Sequence, residues 1–572
     1  MRTSLTGFLL LFLLHPLLAQ TSPKPSEAFA RLVDEYFDFV FKYQPTFGTE
    51  SGFHQYDTEL EDFAAGTVSA EIAGQKQFLA RFEAFPKPGL PEDSADDLDF
   101  LACRIRARLL ELEDIPMWRK DPDFYTSTAT NGIFLLMRHP YAPPEERLQR
   151  LIAREKKIPG LLTEARNNLN NPPRVYTEVA LEQLPDTIEF FRSDVPQAFA
   201  SVKDEKLLRE FKASNQAAVA ALTRYQDFVK GSLLPKSNGD FRIGAENFRK
   251  KLLYEEMVDI PLDRLLEIGY ADLRKNQQQL KEVAAQIDPK RPARDVINSL
   301  QDDHPAAGEL LQKFRDTLGG LRKFLDDKKI ITTPDAVLPV VEETPPFERA
   351  LTTASMETPG AYEKHGDAIF NVTLPDPTWD AKKVEEWMRG FNYSMISGTA
   401  IHEVYPGHYE QYAWWKDAPS KVRKLLYSST NAEGWAHYTE QMMLDEGYGN
   451  GDPKLRAGQL VDALLRDCRF IAGIEMHTGK MTLEQAIKFF QEEGFQTSAM
   501  AEEESKRGTS DPTYLVYTLG KLQILKLRED YRKVKGDQFS LLEFHNTFMV
   551  QGGMPVKIIR RKMLGNDSPT LE

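Results

Sequence analysis

Cysteine is almost absent from this sequence, which contains only Cys103 and Cys468 in 572 residues. A chain with so few thiols cannot rest on a disulfide framework, so its stability must come from packing. One bridge between the two cysteines is compatible with the sequence, as are two free thiols. An excess of basic residues is also missing, since the formal net charge is −14. This charge argues against nucleic acid as a partner, because binding a polyanion requires a positive surface.

Long apolar runs are missing after the first twenty residues, and no later stretch reaches the roughly 20 apolar residues of a membrane helix. The start of the chain is different: Arg2 is basic, residues 7–18 are almost wholly apolar, and Ala19 is a small residue suited to cleavage. This pattern predicts a signal peptide over residues 1–19. We therefore expect an exported protein, periplasmic or secreted, with no membrane span in the mature chain. No cysteine stands near Ala19, which argues against a lipid-anchored form.

Apolar residues recur mainly at helical spacing, as over residues 29–40 and 262–273, and this periodicity predicts a mostly α fold. Between about 330 and 375, β-branched residues and prolines accumulate, which predicts a small sheet or a set of extended strands. Asp380 is a predicted helix N-cap. One helix is expected after it, with an apolar face formed by Val384, Trp387, Met388, Phe391 and Met395.

The change of composition near residue 330 divides the chain. We expect an N-terminal helical part over residues 20–329, and a second part over residues 330–572 that contains the small sheet and the C-terminal catalytic helices. The length of the mature chain is sufficient for two or more packed subdomains. A cleft between the two helical parts, with the extended section nearby, is the expected place for a site.

Histidine is concentrated in one region, since four of the ten His residues lie between 402 and 477. Residues 402–408 read His-Glu-Val-Tyr-Pro-Gly-His. In a helical His-Glu-x-x-His zinc site the two His are four residues apart and share one face. Six residues of regular helix would put His402 and His408 about 120° apart, too far to share an ion. Pro406 and Gly407 suggest a break in the helix that brings His408 round.

A carboxylate from a following helix commonly completes a two-His zinc site, and Glu433 is the candidate here. His437 and Glu440 lie four and seven residues after Glu433, so all three can line one helix face. Four roles are open to His437: a metal ligand, a core residue, a residue that supports the ligands from behind, or a substrate contact. We favour the last two. Spacing alone leaves the ligand set open.

The sequence resembles the bacterial family catalogued as domain of unknown function 885. The segments that carry the resemblance are residues 402–408 and 433–436, supported by residues 45–57, 469–477, 482–486 and 517–520. The first two segments are the specific ones, and together the matches extend over nearly all of the mature chain.

This family is more distantly similar to helical zinc peptidases of the thimet oligopeptidase and carboxypeptidase Taq kind. Their His-Glu-Phe-Gly-His motif matches residues 402–408 if two residues are inserted. The resemblance implies a large helical zinc-peptidase-like fold, His402, His408 and Glu433 as zinc ligands, and Glu403 as the base. The sequence departs from the family at Tyr409, where a second His is frequent, and at residues 473–475, where Asp-Thr-Gly is frequent.

Hydrolysis also needs a hydrogen-bond donor for the developing oxyanion. Tyr517, Tyr514, His477 and Arg469 are candidates. Tyr517 is preferred because the family match places it close to Gly520, and His477 suits a catalytic or a structural role equally. Together with Glu403, we take Tyr517 and His477 as the candidate catalytic residues.

The leading prediction is a zinc-dependent hydrolase, a metallopeptidase that cleaves short peptides with Glu403 activating a zinc-bound water. Mn²⁺ or Co²⁺ are compatible with the same ligands, but zinc suits them best. One alternative is a metal-dependent amidase acting on a cell-wall or modified small molecule. The other is a non-catalytic exported zinc-binding protein. The sequence leaves open the oligomeric state and the choice between amino- and carboxy-terminal cleavage.

Overall fold

The computed structural model describes residues 25–138, 140–334, 339–345, 353–363 and 366–571. The predicted signal peptide lies outside these residues. The fold is mostly α, as expected. In chain order the α-helices are Pro25–Tyr43 (α1), Pro45–Glu50 (α2), Ala65–Glu83 (α3), Glu92–Glu113 (α4), Met117–Lys120 (α5), Asp123–Arg138 (α6), Pro144–Glu155 (α7), Ile158–Asn168 (α8), Arg174–Glu189 (α9), Val195–Ala198 (α10), Glu205–Phe228 (α11), Gly244–Glu256 (α12), Leu262–Ile287 (α13), Ala293–Leu300 (α14), Leu310–Lys328 (α15), Ala381–Arg389 (α16), Tyr393–Glu403 (α17), His408–Trp415 (α18), Lys421–Leu425 (α19), Ser429–Asp445 (α20), Pro453–His477 (α21), Leu483–Glu492 (α22), Ser498–Ser510 (α23), Val516–Lys535 (α24), Leu541–Met549 (α25) and Val556–Leu564 (α26).

The helical periodicity read from the sequence corresponds to buried faces. On α1 the buried side chains include Phe29, Leu32, Tyr36 and Val40, all on one stripe. Each such side chain contributes about 1.5–3 kcal/mol when it leaves water, so the stripe fixes which face of α1 points inward. The second predicted segment lies in α13, where Leu265 is among the fully buried residues.

The predicted extended section contains a three-stranded sheet. Its strands are Val340–Glu343 (β1), Ala354–Glu357 (β2) and Ile369–Val372 (β3), in the order β1-β3-β2. β1 pairs parallel to β3 with Val340 opposite Ile369, and β2 pairs antiparallel to β3 with Ala354 opposite Val372. The residues that follow β2 run directly to the candidate site.

The helical segment after the sheet is two helices, not the single helix that the apolar stripe suggested. Asp380 caps α16 as predicted, since its side chain accepts a hydrogen bond from the Lys383 backbone. α16 then ends at Arg389, and Asn392 caps α17 by accepting from the Met395 backbone. The prediction of one helix was wrong because a second N-cap interrupts the stripe.

Among the described residues, three clusters of buried apolar side chains form the interior. The largest combines helices from both ends of the chain, for example Phe37 on α1, Phe314 on α15 and Trp435 on α20. A second lies within residues 60–233, and a third joins residues 248–300 to residues 457–571. Side chains from both sides of residue 330 therefore share one core. Both cysteines are free thiols, and within the described ranges no helix has the length and hydropathy to cross a bilayer.

Candidate metal centre

The break between α17 and α18 positions the two histidines of the motif. α17 ends at Glu403, α18 begins at His408, and the residues between include a cis Tyr405–Pro406 bond. Gly407 is required here, because a Cβ atom at this position would lie 1.7 Å from the carbonyl oxygen of His402. The predicted interruption is confirmed, and it changes the angle between the histidines from that of a continuous helix.

His402, His408 and Glu433 converge on one point. Each offers one ligand atom, and these atoms all lie within 4.8 Å of one another. The Nε2 atoms of both histidines are 3.5 Å from Oε2 of Glu433, and the two rings are nearly perpendicular at 87°. Ligands at about 2.0–2.1 Å around a tetrahedral zinc ion lie about 3.3 Å apart. Two imidazoles and one carboxylate in this arrangement therefore fit a zinc ion, with one coordination position left over.

The Nδ1 atom of each histidine forms a hydrogen bond on the side of the ring that faces away from the shared point. His402 Nδ1 donates to Oε1 of Glu440 at 2.7 Å, and His408 Nδ1 donates to Oε1 of Gln411 at 3.2 Å. Because Glu440 and Gln411 offer oxygen acceptors, Nδ1 is the donor in each bond, and the Nε2 atom of each ring faces the shared point. A carboxylate or amide behind each ligating histidine is the usual way in which proteins orient such ligands.

Glu440 is the buried anion of this arrangement. Its carboxylate also forms an ion pair with Arg466, whose Nη2 is 3.0 Å from Oε1 and whose Nη1 donates to Oε2 at 3.4 Å, and it accepts from His437 Nδ1 at 3.1 Å. Burial by itself would raise the pKa of Glu440, but Arg466 and the histidines hold this pKa well below its usual range. Burial, assisted by Lys521, lowers the pKa of His437 to about 3, so His437 is neutral. His437 therefore reaches the centre only through Glu440 and is not one of the three converging residues.

Glu403 follows His402 directly at the end of α17 and is partly exposed. No hydrogen bond or ion pair to its carboxylate occurs within the part of the chain that the structure describes. Although burial lowers the pKa of His408, the charge of Glu433 raises it above its usual value, and the nearby negative charge of Glu403 adds to this effect. The carboxylate is therefore near the centre and uncommitted, which a general base requires.

Tyr517 lies beside the centre because α20 and α24 cross without side chains between them. A Cβ atom on Gly434 would be 2.4 Å from Cα of Gly520, and one on Gly520 would be 2.0 Å from the Thr430 carbonyl oxygen. This contact brings the helix that carries Tyr517 against the helix that carries Glu433. Burial raises the pKa of Tyr517, and the negative charge of Glu433 raises it further.

His477, in contrast to its predicted catalytic role, is remote from the centre. It ends α21, eleven residues or about 16 Å beyond Arg466 on the same helix. Its Nε2 donates to the Gly508 carbonyl at 2.8 Å, and its Nδ1 accepts from the Ile243 backbone at 3.3 Å. Both ring nitrogens are thus used by the main chain, and burial lowers the pKa of His477 to about 4. The structure assigns this residue to the core.

Two other donors considered from the sequence are also occupied or enclosed. Arg469 forms two hydrogen bonds to Glu504, at 2.6 and 2.7 Å, and places its guanidinium 5.0 Å from the Tyr517 ring centroid. Tyr514 is 1% exposed and packs against α23. Of the four candidates, Tyr517 is the one that the structure places next to a predicted ligand.

The centre opens into a cavity of about 340 Å³. His408, Gln411 and Glu433 form one wall, and residues from positions 47–54, 135–141 and 358–363 form the opposite side. The N-terminal turn and the segment after β2 thus face the histidine motif across the cavity. His54 is on a 3₁₀ turn, and it is one of the residues that line this cavity.

His54 connects the separate segments that form the opposite wall of the cavity. Its Nε2 is 2.8 Å from Glu363, its Nδ1 is 3.1 Å from the buried Asp57, and its ring stacks on Tyr141 at 3.8 Å. Asp57 also accepts from Arg150 at 2.7 Å. These bonds join the N-terminal turn to the segment that follows β2, so segments some 300 residues apart form one wall.

The family model for "Bacterial protein of unknown function (DUF885)" matches residues 45–563. The chain belongs to this family. Among solved structures, it is similar to a putative lipoprotein of unknown function from Shewanella oneidensis, with 28% identity, a TM-score of 0.80 and coverage of 94% of this chain and 99% of that one. A putative lipoprotein from Colwellia psychrerythraea has 18% identity and a TM-score of 0.80, with coverage of 95% and 99%. No curated protein matches the chain.

Several residues next to the candidate centre were not predicted from the sequence. Glu440 was placed on the right helix face, but its bond to His402 was not foreseen. Gln411 and Arg466 gave no signal, because neither belongs to a ligand spacing. The matched region begins at residue 45, and the turn at residues 45–57 proves to be part of the cavity wall. Similarity to zinc peptidases remains a prediction.

Proposed function

We propose that this protein is a zinc-dependent hydrolase, a metallopeptidase that cleaves short peptides. The observation that carries the proposal is the convergence of His402, His408 and Glu433, with ligand atoms within 4.8 Å of one another. The orientation of both rings supports it, because each Nδ1 is bonded from behind and each Nε2 faces the centre. An accidental cluster of titratable groups would not need both features.

The three converging residues would hold the ion and leave one position open. A zinc ion so held supplies a Lewis acid and lowers the pKa of a water molecule to about 7. Glu403 then accepts a proton from water and returns it to the leaving amine. Tyr517 donates a hydrogen bond to the oxygen of the scissile carbonyl, where negative charge develops. A raised pKa keeps the Tyr517 phenol protonated and able to donate.

The size of the cavity supports a short substrate. Its volume of about 340 Å³ lies at the lower end of small-molecule pockets, which occupy roughly 300–1,000 Å³. The wall opposite the histidines is closed by the contact of His54 with Glu363. A folded protein cannot enter such a space, whereas a few residues of extended peptide can.

We propose that the enzyme is exported and is either periplasmic or secreted. The predicted signal peptide over residues 1–19 supports export. The relative from Shewanella oneidensis, described as a putative lipoprotein, supports the same compartment. Peptides in that compartment are the expected substrates.

The test is metal analysis of the purified protein, followed by mass-spectrometric identification of products from a short-peptide library with and without chelator. Glu403→Gln should retain one zinc per chain and lower turnover by about 10²–10⁴-fold, the usual contribution of a general base. Glu386→Gln is the control, because that side chain is 64% exposed on α16. Full activity in Glu403→Gln would remove the base. Cleavage of simple amides without peptides would indicate an amidase, and zinc without any turnover a binding protein.

A further inference from the structure

Lys424 is a cation in the wall of the cavity that has no anionic partner. It lies on α19 and lines the same space as His408 and Glu433. In the described part of the chain, no carboxylate lies within ion-pair distance of its ammonium group and no acceptor is hydrogen-bonded to it. The contact that the structure gives it is the face of the Tyr362 ring, 5.6 Å from the centroid. Tyr362 belongs to the segment that closes the opposite wall.

Unlike Lys424, each acidic side chain that lines the cavity has a cationic or imidazole neighbour. The pairs are Glu433 with His408, Glu363 with His54, and Glu50 with Arg138. Lys416, the other lysine of the cavity wall, has Asp417 at 3.1 Å. Within the described residues, the ammonium of Lys424 is therefore a positive charge left uncompensated in this space. A partly desolvated cation favours an anion beside it.

The helix that carries Lys424 is firmly anchored. The preceding residue, Arg423, is 1% exposed and donates to Asp97 at 2.8 Å and to Gln551 at 3.1 Å. These buried bonds fix the backbone of α19, so Lys424 projects from a rigid element. The backbone position from which the ammonium group reaches into the cavity is therefore fixed before a ligand arrives.

We propose that Lys424 binds the terminal carboxylate of the substrate and thereby directs cleavage to bonds near the free carboxyl end of short peptides. This inference rests on the proposed peptidase function and deepens it. An unmodified peptide carries one carboxylate at that end whatever its sequence, so a single cation in the same cavity as His408 and Glu433 selects the end and not the side chains. The opposite, amino-terminal choice would need an uncompensated anion in the wall.

The experiment compares acetyl-blocked tetrapeptides of Ala and Phe with the same peptides carrying a C-terminal amide. The wild-type enzyme should prefer the free acids, and Lys424→Met should lower kcat/KM for the acids by about 10- to 100-fold, the effect of losing one hydrogen-bonded charge. The amides should react at an unchanged rate. Lys424→Arg should keep the preference, because it retains the charge. Lys416→Met is the matched control and should behave as the wild type.

Binding of the same peptides to chelator-treated protein, measured by calorimetry, separates this inference from the peptidase proposal. Tighter binding of acids than of amides that disappears in Lys424→Met supports the carboxylate site even if no peptide is hydrolysed. Hydrolysis with equal rates for acids and amides overturns the site and leaves the peptidase intact. A Lys424→Met protein that loses acids and amides alike also overturns it, as does the absence of any difference in both assays.

Discussion

Glu440→Gln is the most informative perturbation of the candidate centre. The substitution keeps the size of the side chain but removes its charge, and it converts one acceptor oxygen into an amide donor. In the wild type, Glu440 accepts from His402, His437 and Arg466 with distances of 2.7, 3.1 and 3.4 Å. A glutamine cannot serve all three donors. The His402 ring then loses its fixed orientation, and its Nε2 becomes a weaker electron donor.

The expected magnitude follows from the position of Glu440 behind one ligand. Replacing a group that orients a metal-bound histidine typically lowers metal affinity by 10–100-fold. At about 1.4 kcal/mol per tenfold change, this corresponds to about 1.4–2.8 kcal/mol of zinc binding free energy. The assay is competition for zinc with a chromophoric chelator at constant pH, with circular dichroism to confirm folding.

The control is Glu446→Gln, which removes a carboxylate at the end of α20 that pairs with Arg528 at 2.9 Å and does not touch the histidines. Its zinc affinity should match that of the wild type. Equal affinities in Glu440→Gln and the wild type would refute the view that His402 is a ligand oriented by this carboxylate.

Two further changes test the break and the core histidine. Gly407→Ala places a methyl group where the His402 carbonyl oxygen lies, so His408 must move. We expect activity to fall about 100-fold and zinc to bind more weakly. Unchanged zinc affinity in chelator titrations would contradict this expectation. Burial lowers the pKa of His477 to about 4, below its unfolded value of about 6.5, so the unfolded chain takes up a proton first as pH falls. His477 alone should therefore lower the stability of the wild type by about 2 kcal/mol between pH 7 and pH 5. His477→Gln should flatten this part of the urea-unfolding profile and leave kcat/KM within about twofold; a large loss of kcat/KM in folded protein would restore a catalytic role.

Much of the helical fold could be read from periodicity, because burial of one face repeats every turn of α1 and α13. The break between α16 and α17 was missed for a physical reason. The apolar stripe continues past residue 389, and the competing signal is a single Asn392 side chain capping a new helix. A capping residue starts a new helix only where the backbone before it leaves the helical conformation. The pattern of apolar residues does not show where that happens.

The candidate centre was predictable where the chemistry is local. His402, Glu403, Pro406, Gly407 and His408 lie within seven residues, so the need for a break could be deduced from helix geometry. The opposite wall of the cavity could not be deduced. The contact between His54 and Glu363 joins positions 309 apart in the chain, and no spacing rule encodes such a pairing. Arg466 was missed because its partner is a buried carboxylate on another helix.

The crossing of α20 and α24 at Gly434 and Gly520 places main chain directly on main chain. The spacing between the backbones that carry Glu433 and Tyr517 is therefore set by direct main-chain contact and does not depend on the size of an intervening side chain. Protein engineers could reshape the far side of the cavity while the backbones that carry the carboxylate and the phenol keep their mutual spacing. Enlarging either glycine would push the two helices apart and abolish that independence.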